Sequence, residues 1–131
     1  MRVVIAGSRD GGFGVEDVAA AVVAAGFVVD EVVSGAARGV DCLGEQWAAA
    51  RGIRVVRFPA DWSRGRGAGY LRNLEMAAYG DALVALWDGR SSGARHMIQT
   101  MRKLGKPVFV SGAGGPEHVE HVEHASQLSL V

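Results

Sequence analysis

Three segments of the chain combine glycine with small polar and charged residues, the composition of backbone loops that hold phosphate. Each follows an apolar run that predicts a buried strand, and each precedes apolar residues at helical spacing. The segments are residues 7–12 (GSRDGG), 34–39 (SGAARG) and 88–93 (DGRSSG). A helix begins with unpaired N–H groups and the positive end of its dipole. Three such junctions in one small chain predict a cleft for a phosphate-bearing small molecule of the nucleotide kind.

The predicted ligand contacts come from these junctions and from the start of a later helix. A guanidinium can pair with a phosphate through two parallel hydrogen bonds, which is the role we expect of Arg9. We expect Arg72 to reach a phosphate and Asn73 to reach a base or a ribose. The residues alone indicate no catalytic group. The full set of predicted binding residues is Gly7, Ser8, Arg9, Asp10, Gly35, Ala36, Arg38, Gly39, Asp41, Arg72, Asn73, Asp88, Gly89, Ser91, Ser92 and Gly93.

Several of these residues also have a purely structural explanation. Asp41 lies in the first turn of a predicted helix, where an acid stabilises the dipole; it could also accept hydrogen bonds from a ribose hydroxyl or from loop amides. Ser91 is a suitable N-cap, and capping is compatible with phosphate binding. Arg72 and Asn73 could instead form a salt bridge and a cap. His96 lies off the apolar stripe of its helix, which predicts an exposed residue rather than an acid–base group.

An alternation of strands and helices must position these junctions. Strands are predicted near residues 2–6, 31–34, 53–58, 82–87 and 107–111, and helices near 14–25, 38–51, 68–79 and 92–104. The alternation predicts an α/β fold, a Rossmann-like doubly wound three-layer sandwich with a mostly parallel five-stranded sheet of order 3-2-1-4-5. The winding then reverses between the first and fourth strands. Ligands of such sheets bind at that point, beyond the carboxyl ends of the strands.

The apolar spacing also predicts which face of each helix is buried. The predicted inward residues are Val15, Val18, Val22 and Ala25 in the first helix, Val40, Leu43 and Trp47 in the second, Leu71, Leu74 and Ala78 in the third, and Met97, Ile98, Met101 and Leu104 in the fourth. The longest predicted loop is residues 61–69 (DWSRGRGAG). Its arginines and glycines suit either a flap over the cleft or a plain surface loop.

Length and composition predict one small domain with an appendage. The 131 residues suit a single core, which we assign to a nucleotide-binding domain at 1–111, followed by a short polar helix and tail at 112–131. The one cysteine, Cys42, fits a reducing compartment, and no apolar run approaches the roughly 20 residues of a membrane span. We therefore expect a cytoplasmic protein with no membrane partner. Apolar residues in the tail predict a homo-oligomer.

The charge is unevenly distributed, although the formal net charge is zero. Residues 51–106 hold 11 basic and 4 acidic side chains, a net of +7, which predicts either a positive field for an anionic ligand or a solvated basic face. The zero overall charge and the lack of clustered aromatic residues disfavour a nucleic-acid partner. The tail carries His118, His121 and His124. Zinc needs histidines held by a second shell, so no metal site is predicted.

Several short motifs occur in an order typical of a known group. Residues 34–41 (SGAARGVD) resemble the G-G-A-x-G-A-D signature of the SLOG superfamily, with serine in place of the first glycine. Residues 7–10 (GSRD), 59–62 (PADW) and 69–76 (GYLRNLEM) resemble the G-x-R-D, P-A-x-W and G-x-x-R-N-x-x-M patterns of its YspA-like members. The resemblance spans about residues 1–110. The SLOG superfamily also includes the DprA and LOG proteins.

The resemblance implies a Rossmann-like fold that binds nucleotides or nucleotide-derived ligands, compounds related to NAD or ADP-ribose among them. It firmly implies no cofactor. LOG enzymes, which cleave nucleotide N-glycosidic bonds, carry a pattern that resembles P-G-G-x-G-T-x-x-E. Here Ala94 replaces the threonine and Met97 stands at the position of the catalytic glutamate. The hydrolase activity of those enzymes is therefore not carried over to this chain with that residue.

Three functions remain open at this point. The leading interpretation is binding or sensing of a nucleotide-derived small molecule. The second is a hydrolase that acts on such a ligand, similar to an N-glycosidase or a phosphoribohydrolase, and it requires a carboxylate in the cleft. The third is single-stranded nucleic-acid binding, as in DprA. The candidate carboxylates for the hydrolase are Asp10, Asp41, Asp61 and Asp88.

Overall fold

The computed structural model describes residues 1–10, 12–112 and 122–123. Its strands are β1 (Arg2–Gly7), β2 (Glu31–Ser34), β3 (Arg54–Arg57), β4 (Ala82–Trp87), β5 (Val108–Gly112) and β6 (Val122–Glu123). Its helices are α1 (Val15–Ala25), α2 (Val40–Ala50), α3 (Ala68–Tyr79) and α4 (Ser92–Lys103), and a 3₁₀ turn at Trp62–Arg64 precedes α3. The first five strands and the four helices alternate as predicted, each bound lying within two residues of the predicted one.

The strands form one sheet of order β3-β2-β1-β4-β5-β6. Strands β1 to β5 pair in parallel, which confirms the predicted doubly wound sandwich of order 3-2-1-4-5. The winding reverses between β1 and β4, where Gly7 pairs with Leu86. The carboxyl ends of these two strands therefore flank the crevice in which such folds bind ligands.

The sixth strand corrects the sequence prediction for the appendage. Val122 and Glu123 pair antiparallel with Phe109 and Val108 of β5, where the sequence predicted a polar helix. An edge strand offers a row of unpaired backbone groups, and these can hold a short extended segment whatever its side-chain pattern. The rest of the predicted helix and tail, including the three histidines, lies outside the described residues.

Strand β1 shows how the sheet buries both of its faces. Side chains alternate between the two faces of a strand. Val3 and Ile5 accordingly contact the core shared with α1 and α2, whereas Val4 and Ala6 contact the core shared with α3 and α4. All four side chains are buried. The sheet is thus the middle layer of the sandwich, and α2 and α4 begin at its carboxyl edge.

The predicted inward face of α3 is wrong. Leu71 and Leu74 are 40% and 48% exposed, and Ala78 is also exposed. The buried face is the opposite one, which carries Asn73 and Met76. Apolar periodicity identified the wrong stripe because it counts a buried asparagine as a solvent-facing residue, whereas Asn73 is buried through hydrogen bonds to α4.

The other helix faces are largely as predicted. The exceptions are two predicted inward residues at helix ends, Val15 and Leu104, which are 38% and 53% exposed. Val15 is the first residue of α1 and Leu104 follows the last residue of α4, so both are open to solvent beyond the packed turns. None of the helices within the described residues has the length and hydropathy of a membrane span. The homo-oligomer stays a prediction.

Candidate functional site

Two adjoining cavities lie where the carboxyl ends of β1, β2 and β4 meet the starts of α2, α3 and α4. The first has a volume of about 400 Å³ and the second of about 350 Å³. Both fall within the range of small-molecule sites, which is roughly 300–1,000 Å³. Of the predicted binding residues, the first cavity is lined by Gly7, Arg9, Asp41, Arg72, Asn73, Ser91, Ser92 and Gly93. The second is lined by Arg9, Gly35, Ala36, Arg38 and Arg72.

Arg9 is a cation at this site that has no partner among the described residues. It follows β1, is exposed, and lines both cavities. Within the described part of the chain it makes no hydrogen bond and no ion pair. Its positive charge still acts on its neighbours: burial lowers the pKa of Arg72, and the charge of Arg9 lowers it further. An arginine in this state is available to pair with an anion that enters either cavity.

Arg72 is fixed where Arg9 is free. Its Nη1 donates hydrogen bonds to the carbonyl oxygens of Gly35 and Phe58, the latter at 3.4 Å. Its Nε donates to Oδ1 of the neighbouring Asn73 at 3.1 Å. These contacts join α3 to the loops after β2 and β3 and direct the guanidinium toward both cavities. The predicted alternative of a salt bridge and a cap is therefore replaced by hydrogen bonds to main-chain carbonyls.

Asp41 is a buried carboxylate in the wall of the first cavity. Its side chain is only 6% exposed, and its Oδ2 accepts a hydrogen bond from the amide of Ala37 at 3.2 Å. Burial raises the pKa of Asp41 to about 6, although that hydrogen bond and the charges of Arg72 and Arg9 lower it. The predicted contact with loop amides is thus observed. A carboxyl group with this pKa exchanges its proton close to neutral pH.

The other three candidate carboxylates are engaged elsewhere, and none of them lines a cavity. Asp10 forms an exposed ion pair with Arg38 at 3.2 Å. Asp61 accepts a hydrogen bond from the amide of Ser63 at 3.2 Å. Asp88 accepts hydrogen bonds at 2.8 Å from the amides two and three residues further on, and these bonds lower its pKa. Asp41 is the one candidate that a ligand in the first cavity would meet.

Ser8 connects the three junctions instead of facing the ligand. It is 1% exposed, its Oγ accepts a hydrogen bond from the amide of Asp88 at 2.9 Å, and its carbonyl accepts one from Val40 at 3.2 Å. Gly39 has a φ of 80°, and a Cβ there would lie 2.5 Å from the Ser8 carbonyl oxygen. The predicted binding residues that line neither cavity are Ser8, Asp10, Gly39, Asp88 and Gly89.

The second and third junctions differ in how many amides they leave open. At the second, Ala36 donates to Ser34 Oγ at 3.1 Å and Ala37 donates to Asp41, so the protein itself occupies two of the expected amides. At the third, the Ser91 side chain makes no cap hydrogen bond, and residues 92–94 have no backbone hydrogen-bond acceptor among the described residues. These three residues line the first cavity. The start of α4 is therefore the more open of the two for an anion.

His96 contacts α3 from α4 and is half-buried, which corrects its predicted exposure. Its Nδ1 lies 3.2 Å from Nδ2 of Asn73, and its ring centroid lies 4.5 Å from that of Tyr70. The Asn73 amide nitrogen also donates to the carbonyl oxygen of Gly93 at 3.2 Å. Because the asparagine nitrogen can only donate, Nδ1 is the acceptor of the neutral imidazole. Burial lowers the pKa of His96, and the charge of Lys103 adds to this effect.

Sequence reasoning did not identify the apolar part of the site. Met76 and Met97 are each 1% exposed and line the first cavity, together with Tyr70 and Trp62. Met97 was predicted to be core and Met76 was noted only within a sequence motif, and both are core and cavity wall. Trp62 is 57% exposed and lines both cavities. A large aromatic residue in an arginine- and glycine-rich loop was the available signal for this role.

Comparison with known proteins agrees with the family resemblance of the sequence motifs. Residues 1–65 match the family model YAcAr, described as the YspA, cpYpsA-related SLOG family. The gene 61 protein of Mycobacterium phage D29 is 41% identical over 90 residues, which cover 62% of this chain and 70% of that protein. The chain belongs to the YspA, cpYpsA-related SLOG family. No solved structure gives a significant match.

Membership of the YAcAr family confirms the resemblance and indicates a nucleotide-related role, in binding or in processing. The matched residues include Arg9, Asp41 and Trp62, which form one side of the first cavity. Arg72 and the start of α4 lie beyond the match and form the other side. The family match therefore covers part of the lining of the first cavity, and the rest of the lining lies outside the matched residues.

Proposed function

We propose that this YAcAr-family chain binds or senses a nucleotide-derived small molecule in the first cavity. Arg9 is the observation that supports this most strongly. Its guanidinium has no partner among the described residues and lines a cavity that also contains Arg72 and the open amides at the start of α4. An anion that loses its hydration shell on binding needs hydrogen-bond donors that are already in place. The oxygen atoms of a phosphate group are acceptors that match these donors.

The composition of the cavity also suits the uncharged part of a nucleotide. Small-molecule sites are mostly apolar, with a few polar groups that fix orientation. The first cavity is lined by Met76 and Met97 and by the rings of Tyr70 and Trp62. A base packs favourably against aromatic and thioether groups. We expect the ligand to bind with its phosphates near Arg9 and its base near the two methionines.

A nucleotide hydrolase is the second candidate, and Asp41 favours it. Asp41 lines the cavity, and its pKa of about 6 suits proton transfer near neutral pH. Against this, Met97 lines the cavity at the position where LOG enzymes carry their catalytic glutamate, and a thioether cannot move a proton. Binding without turnover is therefore the leading function.

A thermal-shift screen against AMP, ADP, NAD, ADP-ribose and cyclic nucleotides tests the proposal. A ligand present at a hundred times its dissociation constant stabilises the folded state by about 2.7 kcal/mol. We expect Arg9→Ala to abolish the shift. Arg64→Ala is the matched control, because Arg64 is an exposed arginine of the neighbouring 3₁₀ turn that lines neither cavity. Loss of the shift in both variants, or in neither, would contradict the proposed role of Arg9.

A second variant tests the cavity independently of charge. Gly93 lines the first cavity and no heavy atom lies within 4 Å of the position that its Cβ would take, so Gly93→Leu adds bulk at the cavity wall without a clash at its first atom. We expect this variant to fold and to lose the ligand-induced shift. A retained shift would place the ligand elsewhere.

The two alternatives are separated by further measurements on the same protein. Loss of product formation in Asp41→Asn, with binding retained, would establish the hydrolase. Binding of a mixed single-stranded oligonucleotide that weakens steeply with salt would instead revive nucleic-acid binding.

A further inference from the structure

The side-chain amide of Asn73 joins two parts of the wall of the first cavity. Its Oδ1 accepts a hydrogen bond from Nε of Arg72 at 3.1 Å, and its Nδ2 donates to the carbonyl oxygen of Gly93 at 3.2 Å. Arg72 belongs to α3, whereas Gly93 lies in the first turn of α4, and both line the first cavity. One buried side chain, only 5% exposed, therefore links the cation of one helix to the start of the other.

The orientation of this amide is determined by its partners. Nε of an arginine can only donate a hydrogen bond, and a carbonyl oxygen can only accept one. Oδ1 of Asn73 must therefore face Arg72, and Nδ2 must face Gly93. Nδ2 also lies 3.2 Å from Nδ1 of His96, so its second N–H has an acceptor as well. Both N–H groups of Asn73 are thus engaged within the protein, which leaves neither of them for a ligand.

The guanidinium of Arg72 depends on its acceptors to keep its place. Adjacent residues of a helix point in different directions, so Arg72 has to fold back toward Asn73 to make the bond from Nε. Its Nη1 donates to the carbonyl oxygens of Gly35 and Phe58. Its Nη2 makes no hydrogen bond within the described residues and is the group left for an anion. An arginine whose other donors are already fixed loses less conformational entropy when it binds an anion.

The start of α4 depends on the same amide. Residues 92–94 line the first cavity, and their amides have no backbone acceptor among the described residues. The hydrogen bond from Asn73 to the Gly93 carbonyl ties this turn to α3. An anion that pairs with Arg72 and with these amides meets donors from two helices, and such a site loses affinity when the distance between its donors is loosely held.

We propose that Asn73 is a positioning residue, which holds the guanidinium of Arg72 and the first turn of α4 in the geometry that an anion in the first cavity requires. His96 supports Asn73 by accepting its second N–H. His96 lines neither cavity, so an effect of this residue on binding passes through Asn73. This inference rests on the proposed function and gives Asn73 a role other than the direct contact with a base or a ribose that the sequence predicted.

Two measurements on Asn73→Leu test the proposal. Titration with AMP and with inorganic phosphate, followed by NMR, gives the affinity, and we expect the variant to bind both probes about tenfold more weakly or worse. The Nε–H signal of Arg72 in the ligand-free protein reports on its hydrogen bond, and we expect this signal to be lost through exchange with water. Val18→Ala is the control, because Val18 is fully buried in α1 and lines neither cavity, so this change lowers stability without altering the site.

Variants of His96 test the same contact if Asn73→Leu does not fold. His96→Leu removes the acceptor and should weaken the binding of both probes, whereas His96→Asn returns an acceptor oxygen near the position of Nδ1 and should restore it. Wild-type affinity and an unchanged Arg72 signal in the leucine variants would overturn the proposal, as would equal losses of affinity in Asn73→Leu and Val18→Ala. If neither probe binds the wild-type protein, the proposed function is wrong for these anions. The Arg72 signal then still decides whether Asn73 holds that guanidinium: its loss in Asn73→Leu supports the positioning role, and its retention contradicts it.

Discussion

Asp41 and Arg72 both occupy the space where a side chain at residue 35 would lie. A Cβ at Gly35 would lie 2.7 Å from Asp41 Oδ2 and 2.7 Å from Arg72 Nη1. Asp41 comes from the start of α2 and Arg72 from the first turns of α3. The loop after β2 therefore determines where these two helices place an acidic and a cationic side chain. The absence of a side chain at one residue is what allows both groups to reach the cavity wall.

Gly35→Ala should therefore destabilise the protein and weaken ligand binding. The new methyl group would displace Arg72 from its carbonyl acceptors or push against the buried Asp41, at an expected cost of about 1–3 kcal/mol. Urea unfolding measures this cost. Gly67→Ala is the control, because Gly67 has a φ of −77° and open space around its Cβ position, and it should stay within about 0.5 kcal/mol of the wild type. Equal effects of the two substitutions would show that the close approach at Gly35 carries no cost.

The raised pKa of Asp41 predicts a specific pH dependence of stability. The pKa is about 6 in the folded protein and 3.8 without perturbation, so the folded state binds more protons between these values. The free energy of unfolding contributed by this group therefore falls as the pH rises through that window, by roughly 3 kcal/mol in all. Below pH 3.8 the group is protonated in both states and contributes no penalty.

Asp41→Asn isolates this contribution from the other carboxylates. Glu45 and Asp88 have lowered pKa values, so the stability that each contributes increases as the pH rises. The pH curve of the wild type alone is therefore a sum of opposing contributions. The difference in unfolding free energy between wild type and variant should shift in favour of the variant between about pH 4 and pH 7. A difference that stays constant across this range would contradict the raised pKa.

The two serines near the first and third junctions should behave differently when changed to alanine. Ser8→Ala leaves the amide of Asp88 without its acceptor in a buried position and should cost about 1–3 kcal/mol in chemical unfolding. Ser92→Ala removes an exposed hydroxyl from the cavity wall and should change stability by less than about 0.5 kcal/mol. Comparable losses in both variants would contradict the structural role of Ser8.

Asn73→Leu tests the polar contact between α3 and α4. The change removes the donor to Gly93 and His96 and the acceptor of Arg72 Nε, so we expect a loss of about 1–3 kcal/mol in thermal or urea unfolding. Leu74→Ala, on the exposed face of the same helix, should cost less. If the Leu74 variant proves the more damaging of the two, then α3 packs through the apolar stripe that the sequence predicted.

The fold and about half of the cavity lining could be predicted from the sequence, because both depend on local signals. The spacing of apolar residues, with glycine at the ends of the elements, predicts the alternation of strands and helices. Because strands that alternate with helices pair in parallel, the loops after them meet at the carboxyl edge of the sheet. Arg9 was identified because an arginine so close to the end of a strand has no obvious structural need. Asp41 and Arg72 were identified because they lie at the starts of helices that follow glycine-containing loops, although each also had a structural explanation.

The parts that could not be predicted depend on contacts distant in the sequence. The outward turn of Leu71 and Leu74 follows from Asn73 bonding to α4, and nothing near Asn73 in the chain indicates that partner. The hydrogen bond from the Asp88 amide to Ser8 Oγ joins residues 80 positions apart in the sequence. Met97 was assigned to the core by its spacing, and its second role as cavity wall appears only when the helices are packed.

The position of Trp62 has an optical consequence. Of the three tryptophans, Trp47 is 7% exposed, and Trp87 donates its indole N–H to the Ser91 carbonyl, whereas Trp62 is 57% exposed at the wall that the two cavities share. A molecule that fills either cavity changes the solvent around that one indole and shields it from collisional quenchers such as iodide. The chain thus carries its own fluorescent reporter of occupancy, with Trp62→Phe as the blank.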